Sequence, residues 1–382
     1  SAPFTVTAYP VDGEPISFDD VMLAMADGLF RPFAIGDPYG PPWSTTWFHC
    51  VGRVPHEWAG STVEARIDLG FGQAPGFQAE GLVWGPSGPL RALNPLNHAI
   101  PLLSEARGGE EFEFLVEAAA NPMIGGPDHR PTPLGDPRTL PSTPLYTLKR
   151  AELSVFQPEV AALVHDLDVL GELIRELPSN APRRPQITVA IGRALDALDL
   201  GDVPATASDA RAELTKVLAR PAVPSAHHIT AVGHAHIDTA WLWPLRETVR
   251  KCARTFSNAL DLMTREPELV FVCSQAQQHE WMRERYPSIF TDMQARAGEG
   301  RFVPVGGMWV EADMNLPSGE SLARQFLRGQ RFFEEHYGEI CREVWIPDVF
   351  GYPANAPQIF RLGGAEWFLT QKLSWNKQNR MP

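Results

Sequence analysis

Cysteine is scarce in this chain. Cys50, Cys252, Cys273 and Cys341 stand far apart without paired spacing. That argues against a disulfide scaffold or a sulfur-ligated metal and fits a reducing compartment. No Asn-x-Ser/Thr acceptor occurs, as a cytoplasmic protein allows. No apolar run approaches the ~20 residues of a membrane span, and the N-terminus is not signal-like. Ser1 in place of Met leads us to expect a processed or engineered start. Basic blocks are also missing. With 33 Lys and Arg against 46 Asp and Glu, net charge −13, neither nucleic acid nor an anionic membrane is expected as partner.

Proline is abundant, at 36 residues, and clusters in loops, where it stiffens connections. A chain of 382 residues is too long for one ordinary core, so two or three domains are expected. Residues 1–30 read as a lead-in, with Ser17 capping a short helix over Val21 to Ala26. Thr45 to Val54, Thr62 to Leu69, Gln78 to Trp84 and Glu111 to Glu117 read as short strands of an antiparallel sandwich. A Pro/Gly loop follows over 121–145, then a closing strand over Tyr146 to Phe156. Trp43, Trp47, Trp58 and Trp84 could form a sugar platform, but Trp usually packs in such cores, and core is the preferred reading. From 158 to 219, apolar residues recur at helical spacing, broken at Pro178 to Pro185 and Gly201 to Pro204, as in a helical linker. Beyond 226, strands alternate with helices: Ile229–His234, Leu269–Cys273, Phe302–Gly306, Glu343–Ile346 and Trp367–Gln371. This is the pattern of a parallel α/β domain. The expected domains are therefore 1–157, 158–224 and 225–382.

The densest chemistry lies at His234-Ala-His236-Ile-Asp238-Thr-Ala-Trp241-Leu-Trp243. Ile229 to Val232 reads as a buried strand; if it continues, His234, His236 and Asp238 share one face. Two imidazoles and a carboxylate at a strand's end suit a divalent metal such as zinc. Trp241 and Trp243 offer ring faces for a sugar. A His-x-His alone is commonly structural, so the reading needs support elsewhere. Trp345-Ile-Pro-Asp348-Val-Phe350-Gly351-Tyr352-Pro353 supplies it. There an apolar run stops at an acid before a turn, where α/β barrels place catalytic groups. Taken alone, Asp348 reads as a helix cap or turn residue.

Together the two motifs resemble the class II α-mannosidases, glycoside hydrolase family 38. That family carries a His-x-Asp metal pair on its first barrel strand and an Asp-x-Phe-Gly nucleophile motif further on. The wording around Asp238 is similar to the cytosolic, metal-activated branch, and the likeness reaches Gly40-Pro-Pro-Trp43-Ser-Thr-Thr-Trp47-Phe48. The resemblance implies a seven-stranded, barrel-like α/β catalytic domain, incomplete here, and retaining hydrolysis of terminal α-mannosides. It implies one divalent metal, zinc or cobalt, since such ligands accept several ions. By it, His236 and Asp238 are metal ligands, and Asp348 is both ligand and nucleophile. His234 is a non-ligating neighbour, Trp241 stacks on substrate, and Asp313 contacts it. A further His ligand and the acid/base carboxylate fall beyond residue 382. The chain alone is thus expected to be poorly active. Its expected partners are a mannose-containing oligosaccharide, a C-terminal fragment of the same protein, and further copies of itself.

Within the chain, Glu311 reads as the acid or as a loop cap. Cys273, Gln275 and Gln277 read as structural, and Lys372 and Asn376 are weaker candidates. Two other functions fit fewer features: a deacetylase-like metal hydrolase of carbohydrates, and a non-catalytic sugar-binding protein built on the sandwich tryptophans.

Overall fold

The computed structural model describes residues 1–73, 78–123 and 142–378; most of the loop expected over 121–145 lies outside the described residues. The N-terminal part is a β-sandwich. Its six-stranded sheet runs Arg31–Pro32, Thr5–Val11, Thr45–Arg53, Glu111–Ala119, Glu80–Gly85, Gly88–Leu93, all antiparallel. Facing it is a four-stranded sheet in the order Ala2–Pro3, Arg150–Phe156, Thr62–Asp68, Ala99–Leu103.

Two expectations need correction. The lead-in is no lead-in: Thr5–Val11 pairs with Thr45–Arg53 over seven residues, and its alternation of buried and exposed positions is that of a half-buried strand. The single closing strand is two pieces, Tyr146–Thr147 against Pro38–Tyr39 and Arg150–Phe156 in the sandwich. The Ser17 cap does form, reciprocally with Asp20, and starts the helix Phe18–Ala26.

The six-stranded sheet is covered on both faces, because successive strand residues point to opposite sides. Phe48, Val83 and Val116 enter the sandwich interior. Trp47, Leu82, Trp84 and Leu115 enter a second core shared with the helix Leu245–Arg265 and the C-terminal strands. The tryptophans Trp43, Trp47 and Trp84 are therefore buried packing residues, and Trp58 packs partly buried against the sandwich core.

Pro158–Glu176, Arg183–Asp196 and Val203–Leu218 form a three-helix bundle with its own core of Leu163, Leu170, Ile187, Ala207 and Leu214. The C-terminal part then alternates strand and helix. Gly233–His234, Phe271–Cys273 and Phe302–Pro304 make one parallel sheet; Glu343–Trp345 and Trp367–Leu369 make another. Among the described residues no strand pairing joins the two sheets. Side chains bridge them instead, as where Gly306 N–H donates to Glu343 Oε1 at 3.0 Å. Residues 228–232 are a further correction: no strand forms there, and Ile229 is 88% exposed. The strand begins only at Gly233, whose N–H reaches Val270 C=O.

Candidate active site

His236 and Asp238 leave the end of the first parallel strand on a loop that must turn sharply into the helix Leu245–Arg265. Ala240 takes φ 63°, a left-handed conformation that a residue with a Cβ rarely adopts. Thr248, in the helix's first turn, holds the loop there. Its Oγ1 accepts from Ala240 N–H and Trp243 Nε1–H, both at 3.0 Å. From the next strand, Gln275, itself at φ 68°, donates from Nε2 to Ile237 C=O at 2.9 Å and accepts from Thr239 Oγ1–H. Gln278 adds a second bond to Ile237 C=O. Gln277 accepts from Trp309 Nε1–H. Gln275 and Gln277, read as structural from the sequence, thus bond backbone and neighbouring side chains.

The structure brings His236, Asp238 and Asp348 together. One ligand atom from each lies within 4.8 Å of the others. His236 Nε2 stands 3.4 Å from Asp238 Oδ1 and 3.7 Å from Asp348 Oδ2. Donors about 2.0–2.2 Å from one ion at tetrahedral angles are separated by about 3.3–3.6 Å, so the spacing suits a divalent cation. The charge balance does too. Burial alone would lower the His236 pKa, but Asp238 and Glu311 push it up to about 10; the site calls for positive charge beside its carboxylates.

His234 lies apart from this cluster. Its Nδ1 meets Val272 C=O at 3.1 Å, so that nitrogen carries the proton. Its Nε2 then accepts from Trp345 Nε1–H at 3.3 Å. Both nitrogens are occupied, and His234 braces the strand that leads to Asp348. Trp241 is 53% exposed at the mouth, edge-on to the buried Trp243. Asp313 is exposed and outside the cluster; one oxygen caps a turn by accepting from Asn315 and Leu316 N–H.

Two residues enter more strongly than the sequence indicated. Lys372 Nζ sits 2.8 Å from Asp348 Oδ1, 3.5 Å from the Trp375 ring centre and 4.4 Å from that of Phe350. Glu311 Oε2 lies 2.9 Å from His236 Nδ1. Neither pair is close in sequence, and no spacing pattern could have linked them.

The chain carries the glycosyl hydrolases family 38 N-terminal domain over residues 226–382 and the alpha-mannosidase jelly roll domain over residues 2–154. Among characterised proteins it is similar to human Alpha-mannosidase 2C1, 41% identical over 357 residues, covering 92% of this chain and 33% of that protein. Alpha-mannosidase G of Dictyostelium discoideum is 34% identical over 97% of this chain and 33% of that protein. The Saccharomyces cerevisiae Alpha-mannosidase is 36% identical over 92% and 33%. The chain thus spans about a third of the length of these relatives. Likeness to the solved b-glucuronidase from Ruminococcus gnavus is slight, with 12% identity and a TM-score of 0.22 over 40% of this chain and 29% of that one.

Proposed function

We propose that this chain forms the metal-binding, nucleophile-bearing part of a retaining α-mannosidase acting on mannose-containing oligosaccharides. The observation that carries the reading is the convergence of His236, Asp238 and Asp348 at metal-ligand spacing, in a domain whose relatives are named alpha-mannosidases. Asp348 attacks the anomeric carbon, the bond to the leaving oxygen breaks, and water later releases the sugar from the Asp348 ester with retention. His236, Asp238 and Asp348 would hold a divalent cation, zinc or cobalt, which when bound would orient sugar hydroxyls and offset developing charge. The exposed Trp241 ring packs on the sugar's C–H face, and Asp313 contacts the substrate from the rim. Lys372 holds one oxygen of Asp348 and fixes the orientation of its carboxylate. We assign the acid/base carboxylate and a further His ligand to the part of the relatives that this chain does not span. By the same resemblance, the two parallel sheets belong to a barrel-like domain, and the protein is a cytoplasmic homo-oligomer. The four cysteines, all free and buried, agree with a reducing compartment. No described helix is long and apolar enough to cross a membrane.

Trapping tests the reading. An activated fluoro-sugar of the mannose series carries fluoride as leaving group, which departs without a general acid, so the 382-residue chain itself serves as the probe. With Co²⁺ present, peptide mass spectrometry should find one mannosyl adduct, on Asp348, and none in Asp348→Asn. Deacetylation of an acetylated sugar without any adduct would replace this reading with the deacetylase. Mannose binding that survives both chelation and Asp348→Ala would replace it with a sugar-binding protein.

A further inference from the structure

Glu311 reads from sequence as a general acid or a loop cap, and its surroundings fit neither. The side chain is 4% exposed, sealed beneath the imidazole of His236. An acid must reach the leaving oxygen of the substrate, and no such path is open to it. A loop cap accepts from backbone N–H groups of its own loop, as Asp313 does. Glu311 instead accepts from the Ser274 hydroxyl through Oε1 and points Oε2 at His236 Nδ1. Its own N–H is fixed by Gln275 Oε1 at 3.2 Å. Neither His236 Nδ1 nor Glu311 Oε2 has another hydrogen-bond partner. At 2.9 Å they face each other, with their present angle outside the hydrogen-bond range.

We propose that Glu311 is a positioning residue for the metal site, a role that rests on the metal reading above. Its carboxylate accepts a hydrogen bond from the Nδ1–H of His236, sets the ring plane, and leaves the Nε2 lone pair aimed between Asp238 and Asp348. The hydroxyl of Ser274 anchors that carboxylate, and the Gln275 side-chain oxygen anchors the Glu311 backbone N–H, at the end of the strand Phe271–Cys273, so the ring is oriented by the sheet and not by its own loop. A carboxylate behind a ligating imidazole also raises the basicity of the ligand. The acceptor that completes the arrangement lies 75 positions away in sequence from its partner, 311 against 236, on the loop after the third parallel strand.

The test uses the 382-residue chain stripped of metal and titrated with Co²⁺, read by calorimetry and visible absorption. The unsubstituted chain should bind about one ion, and His236→Ala should bind none. Glu311→Gln should bind about 10- to 100-fold more weakly, and Glu311→Asp should recover part of the loss. ¹⁵N-labelled histidine gives a readout that packing alone would not move: the Nδ1–H form of His236 should dominate in the metal-loaded chain and become mixed in Glu311→Gln. If Glu311→Gln does not fold, Ser274→Ala removes only the anchor and should shift affinity in the same direction. Equal Co²⁺ affinity and an unchanged histidine spectrum in Glu311→Gln would overturn the proposal. Failure of the unsubstituted chain to bind Co²⁺ would overturn the metal reading itself, and Glu311's role with it.

Discussion

Asp348 divides its carboxylate: Oδ1 lies 2.8 Å from Lys372 Nζ, and Oδ2 faces His236 Nε2 at 3.7 Å. Lys372 is 9% exposed and lies against the rings of Trp375 and Phe350, so its ammonium is a fixed charge rather than a solvated one. The arrangement fixes one oxygen on Lys372 and keeps the other facing His236.

Lys372→Met should therefore destabilise the metal-free chain, because it leaves a carboxylate beside Asp238 and Glu311 with one cation fewer. The expected cost is about 1–3 kcal/mol. Adding Co²⁺ should restore most of the lost thermal stability, since the ion replaces the missing charge. A loss of equal size with and without Co²⁺ would show that Lys372 acts through ring packing alone.

The sandwich and the helix Leu245–Arg265 are joined by buried charges. Arg254 pairs with Glu80 and Glu247, Arg250 with Glu117 at 2.8 Å, and Lys251 with Glu80 at 2.8 Å, while Asn121 donates to Glu247. Burial alone would raise the Glu80 pKa, but Arg254 and Lys251 hold it down to about 2. Arg254→Met removes one cation from two buried carboxylates, Glu80 and Glu247, and losing one partner of a buried pair costs about 3–5 kcal/mol. Urea unfolding should show that loss. The first transition should release the Trp47 and Trp84 face, which a tryptophan fluorescence change at lower urea would report.

Acid should destabilise the chain before any carboxylate titrates. His279 is fully buried among Phe256, Phe302, Phe332, Phe333 and Tyr337, and burial lowers its pKa to about 3. Its folded value lies below the ordinary 6.5, so its contribution is present above pH 6.5 and is lost as pH falls from there toward 3. The slope is about 1.4 kcal/mol per pH unit. His236 is displaced the other way, up to about 10, burial being outweighed by Asp238 and Glu311. Its contribution is present below pH 6.5 and is lost as pH rises toward 10. Metal-free stability should thus peak near neutral pH. Denaturant titrations between about pH 5 and 8 should show the acid limb, and His279→Gln should flatten it. An unchanged acid slope in that variant would remove His279 from the account.

Much of this was legible in the order of residues. The helices of the linker and four of the five parallel strands follow from apolar runs and periodicity. The Ser17 cap follows from a pattern three residues long. The strand Thr5–Val11 was missed because a Pro within its alternation reads as a breaker, yet it pairs near the edge of a sheet, where Pro10 is tolerated. Residues 229–232 were misread because Ile229-Thr-Ala-Val232 satisfies the short strand pattern, whereas Ile229 and Val232 are left exposed.

The sequence by itself singled out His236, Asp238 and Asp348, through two compact motifs and the family resemblance they carry, and the structure brings these three together. The sequence also determined that Trp43, Trp47 and Trp84 would more readily pack than bind. Tertiary structure alone decided the rest. It made His234 a bystander by occupying both its nitrogens, turned Glu311 from a candidate acid into the partner of His236, and brought Lys372 onto Asp348. Each of these depends on a distance between residues 24 to 111 positions apart. Such distances are set by how strands pair and helices pack, and side-chain chemistry read along the chain carries no measure of them.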